Sequence, residues 1–188
     1  MGKFFLGFIG LILISIGVYF YFNNSQEYKF KLQEFLLPKG SINISSQEFS
    51  DGGPIPSRFT CDGADLSPAL FVSNIPIGAK SLVLIMEDAT LFPEPFAHWL
   101  SFNLSPDISI IESAKVLGNA NSGINDFGNA TYNGPCSPAG ETHKYNFRVY
   151  ALDTLLEIKN PRRGELLQAM RDHIIATGSI SGVYSKNP

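Results

Sequence analysis

The chain has 188 residues, of which 44% are hydrophobic and 16% charged, with a formal net charge of -3. That length and apolar fraction suit one domain with a full core plus an appendage, which excludes intrinsic disorder and a two-domain architecture. Two cysteines exclude a disulfide-dense miniprotein and a four-cysteine zinc module.

The first element is an unbroken apolar run. The 19 positions from Phe4 to Phe22 carry no charge, and at about 1.5 Å rise they would span roughly 28 Å as a helix, close to the hydrocarbon thickness of a bilayer. The run ends in Tyr19-Phe20-Tyr21-Phe22-Asn23-Asn24, with no small-x-small cleavage pattern and an aromatic end suited to the membrane interface. No cysteine follows directly to carry a lipid. Residues 1–22 are therefore expected to be a retained signal anchor, a single-pass N-terminal transmembrane helix. Lys3 precedes the span and Lys29, Lys31 and Lys39 follow it, so charge alone leaves its orientation open. The domain is expected outside the cytoplasm.

Residues 23–40 mix charge with Phe35-Leu36-Leu37 and end in Pro38-Lys39-Gly40, a stalk composition, which leaves 41–188 as the domain. Of fourteen lysines and arginines four precede Ser41, and of seventeen acids two do. The domain thus carries ten basic and fifteen acidic residues, net -5 without a basic run, which excludes a nucleic-acid partner.

Strands are predicted over Ser41 to Ser45, Ala69 to Val72, Ser81 to Met86, Trp99 to Leu104 and Tyr145 to Leu152, separated by glycine, proline and asparagine clusters. The polar, glycine-rich stretch from Leu117 to Gly140 reads as poor core material, and a loop of that length usually carries function. One helix is expected late: Asn160 caps it, Pro161 suits its first turn, Leu166, Leu167, Met170 and Ile174 share a face, and Gly178 ends it. His173, beside Met170 and Ile174, reads as a packed histidine favoured by the negative helix end.

Chemistry is expected at the other two histidines. His98 follows Asp88 after the loop Phe92-Pro93-Glu94-Pro95 and opens His98-Trp99-Leu100. His143 follows Gly134-Pro135-Cys136-Ser137-Pro138-Ala139-Gly140 and opens Lys144-Tyr145-Asn146-Phe147. Both stand at loop-to-strand junctions, at the rim of a sheet where polar groups can converge on a pocket. For each, a ring satisfied by a backbone carbonyl is the competing structural account. Asn125-Asp126 reads as turn scaffolding and Trp99 as core.

From about Ile42 to Tyr184 the order and spacing of several motifs resemble the phosphatidylethanolamine-binding protein family, in its bacterial and archaeal Raf kinase inhibitor-like branch. They begin with Ile55-Pro56-Ser57-Arg58-Phe59-Thr60-Cys61-Asp62-Gly63, Leu66-Ser67-Pro68, the run from Ser81 to Asp88, and His98-Trp99. Asn125-Asp126-Phe127-Gly128 follows, then Tyr132-Asn133-Gly134-Pro135-Cys136-Ser137-Pro138-Ala139-Gly140 with His143-Lys144-Tyr145. Tyr150-Ala151-Leu152-Asp153, Ala169-Met170-Arg171-Asp172-His173 and Gly182-Val183-Tyr184 complete the set.

The resemblance implies a mainly β fold, an antiparallel β-sandwich with a C-terminal helix, and a small anion pocket at one end. It implies that Asp88, His98, Pro138, His143, Tyr145 and Tyr184 bind the ligand. Where the family has Asp-Pro-Asp-x-Pro, this chain has Asp88-Ala89-Thr90-Leu91-Phe92, so a threonine replaces the second aspartate and both prolines are gone. A less acidic pocket with a looser rim is expected. Two imidazoles and a phenol would supply donors to a phosphate oxygen, and Asp88 would favour a cationic ring.

The expected function is non-enzymatic binding of a phosphate- or carboxylate-bearing small molecule, with a phospholipid headgroup among the candidates, and no cofactor. One alternative is an interaction protein that inhibits a protease or kinase, as some relatives do, which would give it a protein target. The other is a metal-dependent hydrolase, since His98, His143 and Asp88 match by type a two-histidine, one-carboxylate triad for iron or zinc, although no local metal motif accompanies them. Gly178-Ser179-Ile180-Ser181-Gly182 has isoleucine where a nucleophile elbow needs serine. Cys61 and Cys136 flank the pocket loops; outside the cytoplasm they are expected to pair, and otherwise they would be two buried thiols.

Overall fold

In the computed structural model the described residues are 42–91, 93–113 and 121–186. The expected anchor over 1–22 and stalk over 23–40 lie outside them. Among the described residues no helix is long and apolar enough to cross a membrane.

Two sheets make the domain. Strands β1 (Asn43–Ser45), β3 (Leu70–Ser73) and β6 (Ile110–Ile111) form the smaller one. The larger has six strands in the order β2 (Gly53–Pro54), β9 (Ile174–Ser185), β8 (Thr142–Leu152), β4 (Ser81–Asp88), β5 (Phe96–Leu104) and β7 (Asn121–Ser122). All of its pairs are antiparallel except β2 with β9.

All eight residues of β4 are buried, because both of its faces are covered. Side chains alternate across a strand, so Leu82, Leu84 and Met86 enter the core between the sheets with Phe147, Val149 and Ala151 of β8 and Leu70 and Val72 of β3. The opposite face carries Val83, Ile85 and Glu87, also buried. Helix α1 (Arg163–Met170) serves that face, burying Leu166, Leu167 and Met170. Arg163 Nε donates to Glu87 Oε2 at 2.8 Å and ties the helix to β4.

The late helix is shorter than its sequence suggested. The residue preceding it is Arg162, whose N–H donates to Glu165 Oε2 at 2.8 Å, and not Asn160, which stands at φ 48°. Ile174 is not on the helix: it opens β9, a twelve-residue strand that pairs with β8 along its whole length. Branched residues at Ile174, Ile175, Thr177, Ile180 and Val183 favour extended backbone, and the hydrogen-bonding edge of β8 gives them a partner. Gly178 lies inside this strand opposite Val149. A Cβ there would run into the Ile42 backbone, so the glycine permits a close approach instead of ending a helix. His173 is half exposed and meets Asp153 Oδ1 at 2.8 Å, which replaces the expected packing on a helix face.

The segment 121–140 also departs from expectation. Tyr132 is 1% exposed and belongs to the core, and Asn125 is fully buried. Two aromatic or amide side chains with fixed partners make this polar stretch part of the interior.

Candidate functional site

Strand direction gathers the chemistry at one end of the larger sheet. β4 ends at Asp88 where β5 and β8 begin, and the register sets Asp88 opposite both Phe96 and Tyr145. His143 stands opposite Tyr184 of β9. Asp88 is two residues beyond Met86, and Tyr145 and His143 are two and four before Phe147, so alternation aims all three to the core side.

Alternation alone would send His98 to the other face from Trp99. Pairing instead runs from Met86↔Trp99 to Glu87↔Ala97 and skips His98, the signature of a β-bulge. A bulge re-aims the side chain of its extra residue. Trp99 stays in the core, edge-on to Tyr132 at 5.4 Å, while the His98 ring meets Tyr145 edge-on at 5.2 Å. Phe96 and Phe127 close on the same imidazole at 5.5 and 5.1 Å.

The two imidazoles are held in different states. His98 Nδ1 lies 2.8 Å from the Asn133 carbonyl and 3.1 Å from that of Gly134. Carbonyls only accept, so Nδ1 carries the hydrogen. Burial, the largest cause, pushes the His98 pKa down against the carbonyl bonds and the Asp88 charge, which favours the neutral ring. The structural account, a ring satisfied by backbone carbonyls, therefore holds for one nitrogen of His98.

His143 sits between two carboxylates. Nδ1 donates to Asp88 Oδ2 at 2.6 Å and Nε2 to Glu141 Oε2 at 3.2 Å. Burial alone would lower its pKa, but the hydrogen bonds to Asp88 and Glu141 outweigh it and hold the ring above the ordinary histidine range. The two rings thus differ: His143 meets a carboxylate at each nitrogen and its pKa is raised, whereas His98 gives Nδ1 to carbonyls and its pKa is lowered by burial.

Asp88 is 3% exposed and fully engaged. Its Oδ1 accepts from the Thr90 N–H at 2.9 Å, and the Tyr145 phenol lies beside it, held protonated first by burial and then by the Asp88 charge. The Tyr145 oxygen accepts from the Cys136 N–H at 3.3 Å. Thr90, in place of the family's second aspartate, is bound to the backbone: its Oγ1 accepts from the Lys144 N–H at 2.7 Å and joins the ends of β4 and β8. That contact ties the rim where a looser one was expected.

The other two site residues stand further out. Pro138 is exposed, and its carbonyl accepts from the Glu141 N–H at 3.1 Å, shaping the turn into β8. The Tyr184 hydroxyl donates to Asp62 Oδ2 at 2.7 Å, and Lys186 Nζ donates to Asp62 Oδ1 at 2.5 Å. The Lys186 bond first, then that of Tyr184, lowers the Asp62 pKa.

The loop that positions His98 is organised by Asn125. Its Nδ2 shares two hydrogens among three acceptors, the His98 carbonyl at 3.0 Å, that of Thr131 at 3.0 Å and Asn133 Oδ1 at 2.7 Å. Its Oδ1 accepts from the Phe127 and Asn129 N–H groups at 3.1 and 2.9 Å. Asp126 Oδ2 accepts from the Ala97 N–H at 2.6 Å. Scaffolding is the role the sequence suggested for both. A disulfide joins Cys61 to Cys136 and holds this loop against the segment after Phe59. The Tyr132 hydroxyl donates to the Phe59 carbonyl at 2.7 Å, and Asp65 Oδ1 accepts from the Gly134 N–H at 2.7 Å.

Among the described residues no three histidine, cysteine, aspartate or glutamate side chains stand where they could hold one metal ion. His98 spends Nδ1 on carbonyls and His143 spends both nitrogens on carboxylates, so the donor set does not fit the triad considered from the sequence. Sequence reasoning missed Glu141, Phe96 and Phe127. The spacing of Glu141 and His143, two apart at the start of a strand, was the available signal, because such residues share a face. Nothing local marks Phe127 as a neighbour of His98.

A family model described as phosphatidylethanolamine-binding protein matches residues 45–185. An uncharacterised-family protein, UPF0098, of Archaeoglobus fulgidus is 43% identical over 152 residues, covering 78% of this chain and 52% of its own length. This chain therefore spans about half of that relative. The crystal structure of CT736 from Chlamydia trachomatis, described as a putative phosphatidylethanolamine-binding protein homolog, superposes with a TM-score of 0.73 at 39% identity, over 78% of this chain and 99% of that one. Escherichia coli YbcL, described as a new member of the mammalian family, gives a TM-score of 0.71 at 26% identity with the same coverage.

Proposed function

Because the chain belongs to the phosphatidylethanolamine-binding protein family, we propose that it is a non-enzymatic binding protein for a small phosphate- or carboxylate-bearing ligand. The ligand sits at the sheet end formed by Asp88, His98, His143 and Tyr145, with Pro138 and Tyr184 at the rim. The observation that carries this reading is the buried His143 ring, held between two carboxylates whose hydrogen bonds raise its pKa. Its Nδ1 is fixed on Asp88, while Nε2 faces only the exposed carboxylate of Glu141, which an incoming anion can replace. A donor in a low-dielectric site binds an anion more strongly than it would in water.

Residues 4–22 tether the domain to a membrane, and the domain lies outside the cytoplasm. The Cys61–Cys136 disulfide suits the oxidising side.

Calorimetric titration with inorganic phosphate and with phosphoethanolamine tests the reading. Binding should weaken as pH rises and His143 loses its charge. His143→Gln keeps a donor for Asp88 but cannot become a cation; it should bind about tenfold more weakly, and should also lose the low-pH stability that the raised His143 pKa contributes. Absence of binding by the wild type, or binding unchanged in the variant, would place the ligand elsewhere.

A further inference from the structure

Cys136 lies in the middle of the segment 133–141, which supplies partners to three side chains of the site. The Asn133 and Gly134 carbonyls take the His98 Nδ1 hydrogen, the Cys136 N–H reaches the Tyr145 oxygen at 3.3 Å, and the Glu141 carboxylate meets His143 Nε2. Cys136 is bonded to Cys61, and both residues are exposed and outside the core. We infer that the Cys61–Cys136 disulfide is a redox control on the site: reduction by an external dithiol frees the middle of this segment and withdraws the groups that fix Tyr145 and His98. The control holds whatever ligand the site takes.

Other ties hold the segment on either side of Cys136. Before it, the Tyr132 hydroxyl donates to the Phe59 carbonyl at 2.7 Å and the Gly134 N–H to Asp65 Oδ1 at 2.7 Å. After it, the Ser137 hydroxyl donates to the Tyr184 carbonyl at 3.4 Å and the Gly140 N–H to the Lys186 carbonyl at 3.1 Å. Between these ties, Pro135 and Cys136 are both held to residue 61, one by the Cys61 N–H on the Pro135 carbonyl at 3.1 Å and the other by the disulfide. Opening the disulfide therefore loosens the stretch that carries the Tyr145 partner first, and the adjoining Gly134 carbonyl with it. Glu141, beyond the Gly140 tie, keeps its place on His143. Neither cysteine belongs to a strand of either sheet, so the reduced domain stays folded.

The chemistry is thiol–disulfide exchange, and exposed disulfides are the ones it reaches in the native state. One thiolate of the dithiol attacks a sulfur of the pair, the S–S bond breaks, and the other cysteine leaves as a thiolate that takes a proton. The second thiolate of the reagent then attacks the mixed disulfide, frees the remaining cysteine and closes the reagent's own disulfide. Two electrons and two protons thus end on Cys61 and Cys136. These are the two cysteines of the chain, so no third thiol diverts the exchange and an external disulfide can restore the pair.

Nitrogen spectra of the full chain, oxidised and after dithiothreitol, test the control, because the chain holds three histidines and one of them reports on the fold. His173 meets Asp153 Oδ1 just past the end of β8 remote from Cys136. A tenfold rise in dithiothreitol should open the disulfide about tenfold faster, since attack does not wait for unfolding. Alkylation should then mark both cysteines. In the reduced protein the Cys136 amide should lose its exchange protection and His98 its single tautomer, with His173 unchanged. Cys61→Ala with Cys136→Ala should reproduce the reduced spectrum and ignore dithiothreitol. A reduced, folded protein in which Cys136 and His98 are unaltered overturns the inference. So does a reduction rate that levels off at the rate of unfolding, or a loss of structure that takes His173 with it. No readout uses a ligand, so failure of phosphate to bind would remove the anion reading and leave the redox control standing.

Discussion

Replacing Asn125 by alanine should unfold the domain more readily and release His98 at the same time. The side chain has five hydrogen-bond partners: the two Nδ2 hydrogens are shared among three acceptors, and Oδ1 accepts two bonds. A typical bond of this kind contributes about 1 kcal/mol net, and a buried group left without a partner costs about 1 to 3 kcal/mol. The bond to the His98 carbonyl is fully buried, whereas the other four are part-buried and water can replace some of their value. The expected loss is therefore roughly 3 to 4 kcal/mol, a large share of the roughly 5 to 15 kcal/mol that holds a domain folded. Urea unfolding should show a lower midpoint with an unchanged slope. Because Asn125 also holds Asn133, whose carbonyl receives the His98 hydrogen, the nitrogen spectrum of the variant should show His98 without its single tautomer. A loss below about 1 kcal/mol would refute the energetic argument. A destabilised variant with an unaltered His98 ring would refute the positioning role.

Reduction or Cys61→Ser with Cys136→Ser should cost up to about 4 kcal/mol, the chain-entropy figure for a link across a sequence separation of 75. Alkylation without reduction should modify neither thiol, as mass spectrometry would read. The two histidines should give opposite pH dependence. His143, raised by its carboxylates, adds stability that is complete below about pH 6.5 and lost as pH rises through its folded value, so Asp88→Asn should lower its titration midpoint by NMR. His98, lowered by burial, adds stability above about pH 6.5 that is lost as pH falls through its folded value, visible as falling melting temperatures on the acid side. The full chain should stay with membranes after carbonate washing, and protein beginning at Ser41 should be soluble; recovery of a chain beginning near Asn23 would overturn the tether.

The strands that contain Val83, Phe102 and Phe147 could be read from their apolar runs, because burial on one or both faces leaves a local pattern. The motif order from Ile55 to Tyr184 carried the family for the same reason, since it is written in consecutive residues. Segment 174–185 was different. Ile174 fits a helical spacing after Met170, and only the open edge of β8 made it a strand. The aim of His98 came from a bulge, which depends on how two strands align and leaves no mark in either alone. Protonation was decided at the same level. Asp88 and His143 are 55 residues apart and His98 and Asn133 are 35 apart, so the partners that raise one pKa and the carbonyls that hold the other ring meet only after the sheet has formed. Sequence supplied the residue types; the electrostatic role of each followed from which carbonyl or carboxylate the fold brought within hydrogen-bonding distance, at a depth where water could not substitute.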